Sequence, residues 1–268
     1  MIQKTKVLTL IVFGLLFLNL SAQDDVFAND KEAKLPDENR KLRFGLHFSP
    51  NISWLKATSD GYDGNGNKLG FSYGLSVEYF LNKNTLISSG IDLLYAGGDL
   101  KYKGVTTELP QNYSADVEQA YNIRYIELPI TLKLRTNEIG YFTYFGQFGV
   151  KMGFNYRANS NSDFTYKEAL TNKIKEHSES SNNAKPDINF MNMCLVVGVG
   201  AEYNISGNTS ILLGLTFNNG FINQLDKKEN LLDANGNAVM DSNGEAVYTE
   251  KGASANLNYI ALNIGVFF

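Results

Sequence analysis

The chain has 268 residues, 43% hydrophobic and 19% charged, with 28 acidic against 24 basic side chains and a net charge of −4. A pI of 5.3 excludes nucleic acid as the main partner, because phosphate binding needs a basic surface; one Cys and two His leave little room for a structural zinc site or a disulfide framework. The mean hydropathy of −0.22 excludes a helical membrane bundle but not a β-barrel, in which every second residue faces a polar interior.

Lys4 and Lys6 precede an apolar run from Val7 to Leu18, followed by Asn19, Leu20 and the small residues Ser21 and Ala22. This layout predicts a secretory signal peptide over 1–23, cleaved near Ala22 or Gln23. The run is too short to span a bilayer as a helix; a buried N-terminal helix is the alternative. Losing Lys4 and Lys6 takes the basic count from 24 to 22 against 28 acids, a net charge of −6. No Cys follows the cleavage region, which disfavours a lipid anchor there, and Cys194 is alone in an exported chain. Residues 24–41, polar around Pro36, predict a flexible periplasmic lead-in.

From Leu42 onward the apolar period is two, and it recurs eight times, at roughly 42–56, 70–81, 85–101, 122–135, 141–157, 191–203, 209–223 and 259–268. In the fourth segment Ile126, Leu128, Ile130, Leu132 and Leu134 share one face, while Tyr125, Glu127, Pro129, Thr131, Lys133 and Arg135 share the other. That apolar face has the length a tilted strand needs to cross hydrocarbon. In the fifth, Phe142, Tyr144, Phe148, Val150, Met152, Phe154 and Tyr156 place aromatic pairs on either side of an aliphatic centre, as the girdles of a membrane barrel do. Met191, Met193, Leu195, Val197 and Val199 oppose Asn192, Cys194, Gly198, Gly200 and Glu202, and the last strand sets Ile260, Leu262, Ile264, Val266 and Phe268 against Tyr259, Ala261, Asn263 and Gly265. Glycines on the polar face fit a narrow barrel whose interior must hold neighbouring bulky side chains. Pro129 removes a ladder donor and predicts a bulge or local break.

The connections alternate between tight links around Asn82–Asn84, Thr136–Gly140 and Ser206–Asn208 and long ones at about 57–69, 102–119, 158–187 and 224–255. Short periplasmic turns, long extracellular loops and an even strand number are the pattern of an outer-membrane barrel. A soluble β-sandwich shares the alternation but not this regularity. The expectation over 42–268 is therefore an all-β, eight-stranded antiparallel up-and-down transmembrane β-barrel in the outer membrane, its lumen too narrow for a general pore.

The segment Tyr125-Ile-Glu127-Leu-Pro129-Ile-Thr-Leu-Lys-Leu134 resembles the Tyr-x-Glu-x-Pro strand of the PorT-like outer-membrane barrel proteins of Bacteroidetes-type bacteria. Phe44 to Asn51 resembles their first strand and Gly74 to Tyr95 their second hairpin; Gly198-Val-Gly200-Ala-Glu202 and Tyr259 to Phe268 also fit, so the resemblance covers roughly 42–268. The terminal Phe268 is similar to the signal by which the barrel-assembly machinery recognises its clients. The family's namesake belongs to a gliding and type IX secretion system. The resemblance thus implies a barrel and raises the alternative of an accessory component of a secretion or export system, without transferring that role.

No G-x-x-x-x-G-K-[ST] or H-E-x-x-H motif is present, and the sequence assigns no catalytic, cofactor-binding or metal-ligating residue. His47 shares a face with Ser49, and Glu78 and Asp92 point the same way from other strands, which raises the alternative of a lipid A or phospholipid modifying enzyme. The competing expectation is an interior ionic network of Glu78, Asp92, Glu127, Lys133, Lys151 and Glu202. Tyr166, Leu170 and Ile174 fall at i, i+4, i+8 within Phe164–His177 and predict a short amphipathic helix over the barrel mouth. Asp233-Ala-Asn-Gly-Asn-Ala-Val239 is repeated as Asp241-Ser-Asn-Gly-Glu-Ala-Val247, with an echo at Asp63-Gly-Asn-Gly-Asn67. Tight Asn-Gly turns are expected there rather than a calcium loop, which would need Gly at position six and a bidentate Glu at twelve. Arg124, at the outer end of the lipid face, is placed to snorkel or to meet lipopolysaccharide phosphates. The expected partners are outer-membrane lipids and lipopolysaccharide, the barrel-assembly machinery during biogenesis, and a protein met through the loops. The expected role is structural or interactive and not enzymatic.

Overall fold

The computed structural model describes residues 41–106, 113–168 and 173–268, so the signal peptide expected over 1–23, and all of the lead-in but Lys41, lie outside the described residues. The described residues form strands and no α-helix: β1 (Leu42–Ala57), β2 (Tyr62–Asn82), β3 (Thr85–Val105), β4 (Ser114–Arg135), β5 (Phe142–Lys167), β6 (Ile174–Asn183), β7 (Met191–Ser206), β8 (Thr209–Gly220), β9 (Lys228–Asn230), β10 (Tyr248–Gly252) and β11 (Ala255–Phe267). One 3-10 turn, Lys185–Asp187, precedes β7.

Eight strands make a ring. β1 to β5 pair antiparallel in succession, β5 passes on to β7, β7 to β8 and β8 to β11, and β11 pairs back along β1 from Gly45↔Phe267 to Ala57↔Ala255. β6 folds back on the far half of β5, and β9 and β10 form a small ladder of their own. The tight links between β2 and β3, β4 and β5, and β7 and β8 share one end of the ring with the start of β1 and the end of β11. Gly140 and Gly207 occur in two of these links at φ of 67° and 53°, backbone that favours glycine.

At the short-link end and through the middle, the ring is apolar outside and polar inside. Leu75, Phe148 and Val199 are 58%, 53% and 62% exposed, whereas Glu127, Lys133 and Glu202 are all but completely buried within. A soluble sandwich would do the reverse. Partway along the strands the two faces exchange character. On β4 the outer positions run Leu134, Leu132, Ile130, Leu128, Ile126 and then Arg124, Asn122, Glu118, Asp116; the inner ones run Lys133, Thr131, Glu127 and then Tyr125, Ile123, Tyr121, Val117. β3 changes at the same height, from Ile91 to Asp99 outside and from Asp92 to Leu94 and Leu100 inside. The long-hairpin end therefore encloses an ordinary apolar core that includes Leu55, Leu94, Tyr121, Ile123, Leu225 and Leu257.

This exchange corrects three expected loop boundaries. Much of 57–69, 102–119 and 158–187 is paired strand: Tyr62↔Tyr102, Val117↔Phe164 and Tyr166↔Lys175 are in register. Alternation continues in these segments with its sign reversed, so a search for apolar residues on one face loses them. The helix expected over Phe164–His177 is likewise replaced by the β5–β6 hairpin, with Phe164 opposite His177. The inward positions are Ser160, Ser162, Phe164 and Tyr166, spaced by two, and Tyr166 stacks on Tyr113 at 5.2 Å. Leu170 lies outside the described residues.

Pro129 pairs with Lys151 on β5 without any shift of register. On its β3 side the ladder lapses between Ser89↔Ile130 and Asp92↔Glu127, the local break that a missing N–H requires, and Ser89 Oγ donates to the Pro129 carbonyl at 2.9 Å. The bulge lies elsewhere. Arg124 pairs with Arg157 and Tyr125 with Asn155, so β5 carries one extra residue, Tyr156. One extra residue flips the faces beyond it: Gly153 and Asn155 point inward before it, Ala158, Ser160 and Ser162 after it.

Inside the short-link end, glycines make room for rings. A Cβ on Gly200 would sit 2.5 Å from Phe145 Cζ and 2.5 Å from the Leu213 carbonyl, whereas one on Gly146 would meet nothing nearer than the Gly198 oxygen at 4.0 Å. Gly200→Ala is therefore expected to lower the unfolding free energy by about 1–3 kcal/mol through overpacking, and Gly146→Ala to leave it unchanged or slightly raised. Urea titration of the refolded protein, followed by the fluorescence of Trp54, the single tryptophan, checks both; equal midpoints would refute the packing argument.

Candidate functional site

Among the described residues, chemistry-bearing side chains converge in the interior, which is arranged in tiers. Nearest the short links, Arg43 donates through Nε to Glu78 at 2.5 Å and through Nη2 to Glu202 at 2.6 Å. Lys133 Nζ bridges the same two carboxylates at 2.9 and 2.5 Å, and Arg135 reaches Glu202 at 2.9 Å. Aromatic rings close the tier: Lys133 Nζ lies 4.1 Å from the Phe145 centroid, and the Arg43 guanidinium 4.4 Å from that of Phe267. Rings there shield the charges from water while offering them their negative faces.

Above it, Lys151 Nζ stands 3.6 Å from Glu127 and 3.7 Å from Asp92. Tyr259 donates its hydroxyl to Glu127 at 2.9 Å, and His47 Nε2 is 3.2 Å from Asp92 Oδ1. Across the two tiers four cations (Arg43, Lys133, Arg135, Lys151) face four carboxylates (Glu78, Asp92, Glu127, Glu202). All six residues of the expected network are thus brought together. Arg43 was missed, although it shares the inward parity of His47 and Ser49, a signal sufficient to find it.

The third tier is a plug. Gln224, in the segment after β8, sits inside the ring, where Tyr125 donates to its side-chain oxygen and its amide nitrogen donates to Asn192 Oδ1 at 2.8 Å. Its backbone N–H donates to the Ala255 carbonyl at 2.8 Å. With Leu225, Ile188 and Ala184 it fills the interior above Tyr259 with protein.

Of the proposed catalytic neighbours, Ser49 does not meet His47; its hydroxyl donates to Asn263 Oδ1 at 2.9 Å. Ser76 takes that place, with Oγ 3.0 Å from His47 Nδ1, so that Ser76, His47 and Asp92 stand in line. In the excursion after β8, Asp233 Oδ1 accepts the N–H groups of Asn235 and Asn237, and Asp241 Oδ1 those of Asn243 and Glu245, each at 2.8 or 2.9 Å. Gly236 and Gly244 follow at φ of 78° and 81°. The repeats are therefore twin turns, and the N–H groups of Asn237 and Asn235 hold the Asp233 carboxyl below its usual range. Arg124 lies at the level where the outer face turns polar, its guanidinium 5.0 Å from the Tyr95 ring.

Among solved structures, Neisserial surface protein A is 12% identical over 83% of this chain and 95% of that one, with a TM-score of 0.33. Ail, the attachment invasion locus protein of Yersinia pestis, is 13% identical over 85% and 100%, TM-score 0.32. The outer membrane protein OprG from Pseudomonas aeruginosa is 11% identical over 86% and 98%, TM-score 0.36. No curated protein matches. The model of the outer membrane protein beta-barrel domain family matches residues 22–226, most of the chain and seven of the eight ring strands in full, and the chain belongs to that family.

Proposed function

We propose that this outer-membrane β-barrel protein is a closed eight-stranded barrel, not a general pore, that acts as a structural or interaction protein through its outer hairpins. The observation that carries this reading is the filled interior: two tiers of paired charges and the Gln224 plug occupy the axis a solute would take. The exchange of polarity at Arg124 and Tyr95 supports a membrane boundary there, with Phe71, Tyr73 and Tyr95 stacked as an interfacial belt. β2 to β5, at 21 to 26 residues about twice the 9–11 needed to cross, then carry their hairpins beyond the lipid. The short links face the periplasm and the hairpins the exterior, as in barrels of this kind. Arg124 is placed to meet lipopolysaccharide phosphates. Within the family the chain sits with the PorT-like proteins, a reading supported by Tyr125, Glu127 and Pro129, whose first two side chains both anchor interior contacts.

The native protein is expected in the outer-membrane fraction, and the detergent-refolded protein to migrate differently on a gel before and after boiling. A soluble protein with no heat-dependent shift would sink the transmembrane reading. In planar bilayers the refolded protein is expected to give no steady conductance; long-lived open channels would reject the filled lumen.

One observation favours a second reading, a lipid-modifying enzyme: the alignment of Ser76, His47 and Asp92, in which an imidazole has both a hydroxyl and a carboxylate within reach. It predicts altered lipid mass spectra when the protein is expressed, abolished by His47→Ala; unchanged spectra would remove it.

A further inference from the structure

Beyond the plug, the strand tops and the excursion after β8 enclose a cavity of about 470 Å³, the size of a small-molecule pocket. Tyr62 and Tyr102 stack against one another in its wall, 4.8 Å between centroids. Lys227 Nζ stands 4.2 Å from the Tyr102 ring centroid and donates to Tyr102 Oη at 3.0 Å and to Gln119 Oε1 at 3.1 Å. That amide oxygen also accepts the hydroxyls of Tyr102 and Tyr121, both at 2.8 Å, so its lone pairs are fully used.

Two donors are left over. Lys227 has a third N–H and no carboxylate of the described residues within ion-pair distance; Asp187 acts on it only from farther off, and burial pushes its ammonium down to about 8. Tyr62 is 94% buried, from an exposure of 6%, and its hydroxyl has no hydrogen-bond partner among the described residues. A buried donor without an acceptor, as the Tyr62 hydroxyl is, is an exception in native proteins, and a bound ligand is one of the ways it is resolved. The same cavity is lined by the carboxylates of Glu179 and Asp187 and by the hydroxyls of Ser160 and Ser162. Such a lining repels a polyanion but suits a ligand with one negative charge and several hydroxyls.

We propose that this cavity binds a sugar acid. Its carboxylate takes the free N–H of Lys227 and the hydroxyl of Tyr62, and its hydroxyls donate to Glu179 and Asp187. That the cavity opens to the cell exterior rests on the orientation proposed above; the binding does not.

Calorimetric titration of the full refolded protein in micelles tests this with D-galacturonate, D-galactose and acetate as probes. Galacturonate is expected to bind at least tenfold more tightly than either of the others. Lys227→Met is expected to weaken it tenfold or more, and Tyr62→Phe, which removes only the orphan hydroxyl, about threefold to tenfold. Both variants must keep the wild-type heat-dependent gel shift, which separates loss of the site from loss of the barrel. Absence of galacturonate binding by a wild-type protein that shows the shift, equal binding of acetate, or wild-type affinity in both variants would overturn the proposal.

Discussion

Everything in this molecule depends on the ladder between β1 and β11. A sheet surrounded by hydrocarbon has no water to satisfy an edge, and each unpaired backbone group there costs several kcal/mol. Pairing from Gly45↔Phe267 to Ala57↔Ala255 joins the two ends of the ring. A ring of eight strands also sets a bore only wide enough for side chains. The interior must then be filled, and the close approach of Gly200 to Phe145 and of Gly45 to Phe267 shows how tightly.

The filling is charged because the outer face has taken the apolar residues. Isolated charges in so dry a space would be expensive, and pairing recovers that cost only when both signs and enough hydrogen bonds are present. Glu202 satisfies the condition by meeting Arg43, Lys133 and Arg135 at once, and Glu127 by meeting Lys151 and Tyr259. A neutral set of eight charges on six different strands also ties those strands across the bore, which backbone ladders between neighbours alone cannot do.

The sequence made the membrane-level half of the fold legible because a strand between lipid and lumen writes its environment into every second residue. Ile126 to Leu134 on β4 can be read directly, and so can the parity that gathers Glu78, Glu127, Lys133 and Glu202. The half beyond Arg124 was not legible. Its residues alternate between water and an apolar core, the opposite of the pattern sought, and the Tyr156 bulge shifts the count by one on β5. Helical spacing of Tyr166, Leu170 and Ile174 was an accident of a hairpin whose arms are paired Tyr166 to Lys175. The partner of His47 was invisible for another reason. Ser49 lies on the same strand and face, but the register of β1 with β2 is what brings in Ser76, and register between strands is not written in either strand alone.

The inversion at Arg124 and Tyr95 also decides where recognition can take place. Below it the interior is an electrostatic lattice in which Lys133 holds two carboxylates and Lys151 two more, and a guest would have to break such pairs. Above it the interior is largely apolar and aromatic, and its polar groups form small local sets such as Lys227, Gln119, Tyr102 and Tyr121. Lys227 belongs to that second regime, with Gln119 saturated beside it and no carboxylate of the described residues within ion-pair distance. The plug at Gln224 separates the two regimes. On the function proposed above, the filled axis passes no solute and recognition is confined to the mouth, with the polarity of the inner wall, rather than the size of the bore, setting that limit.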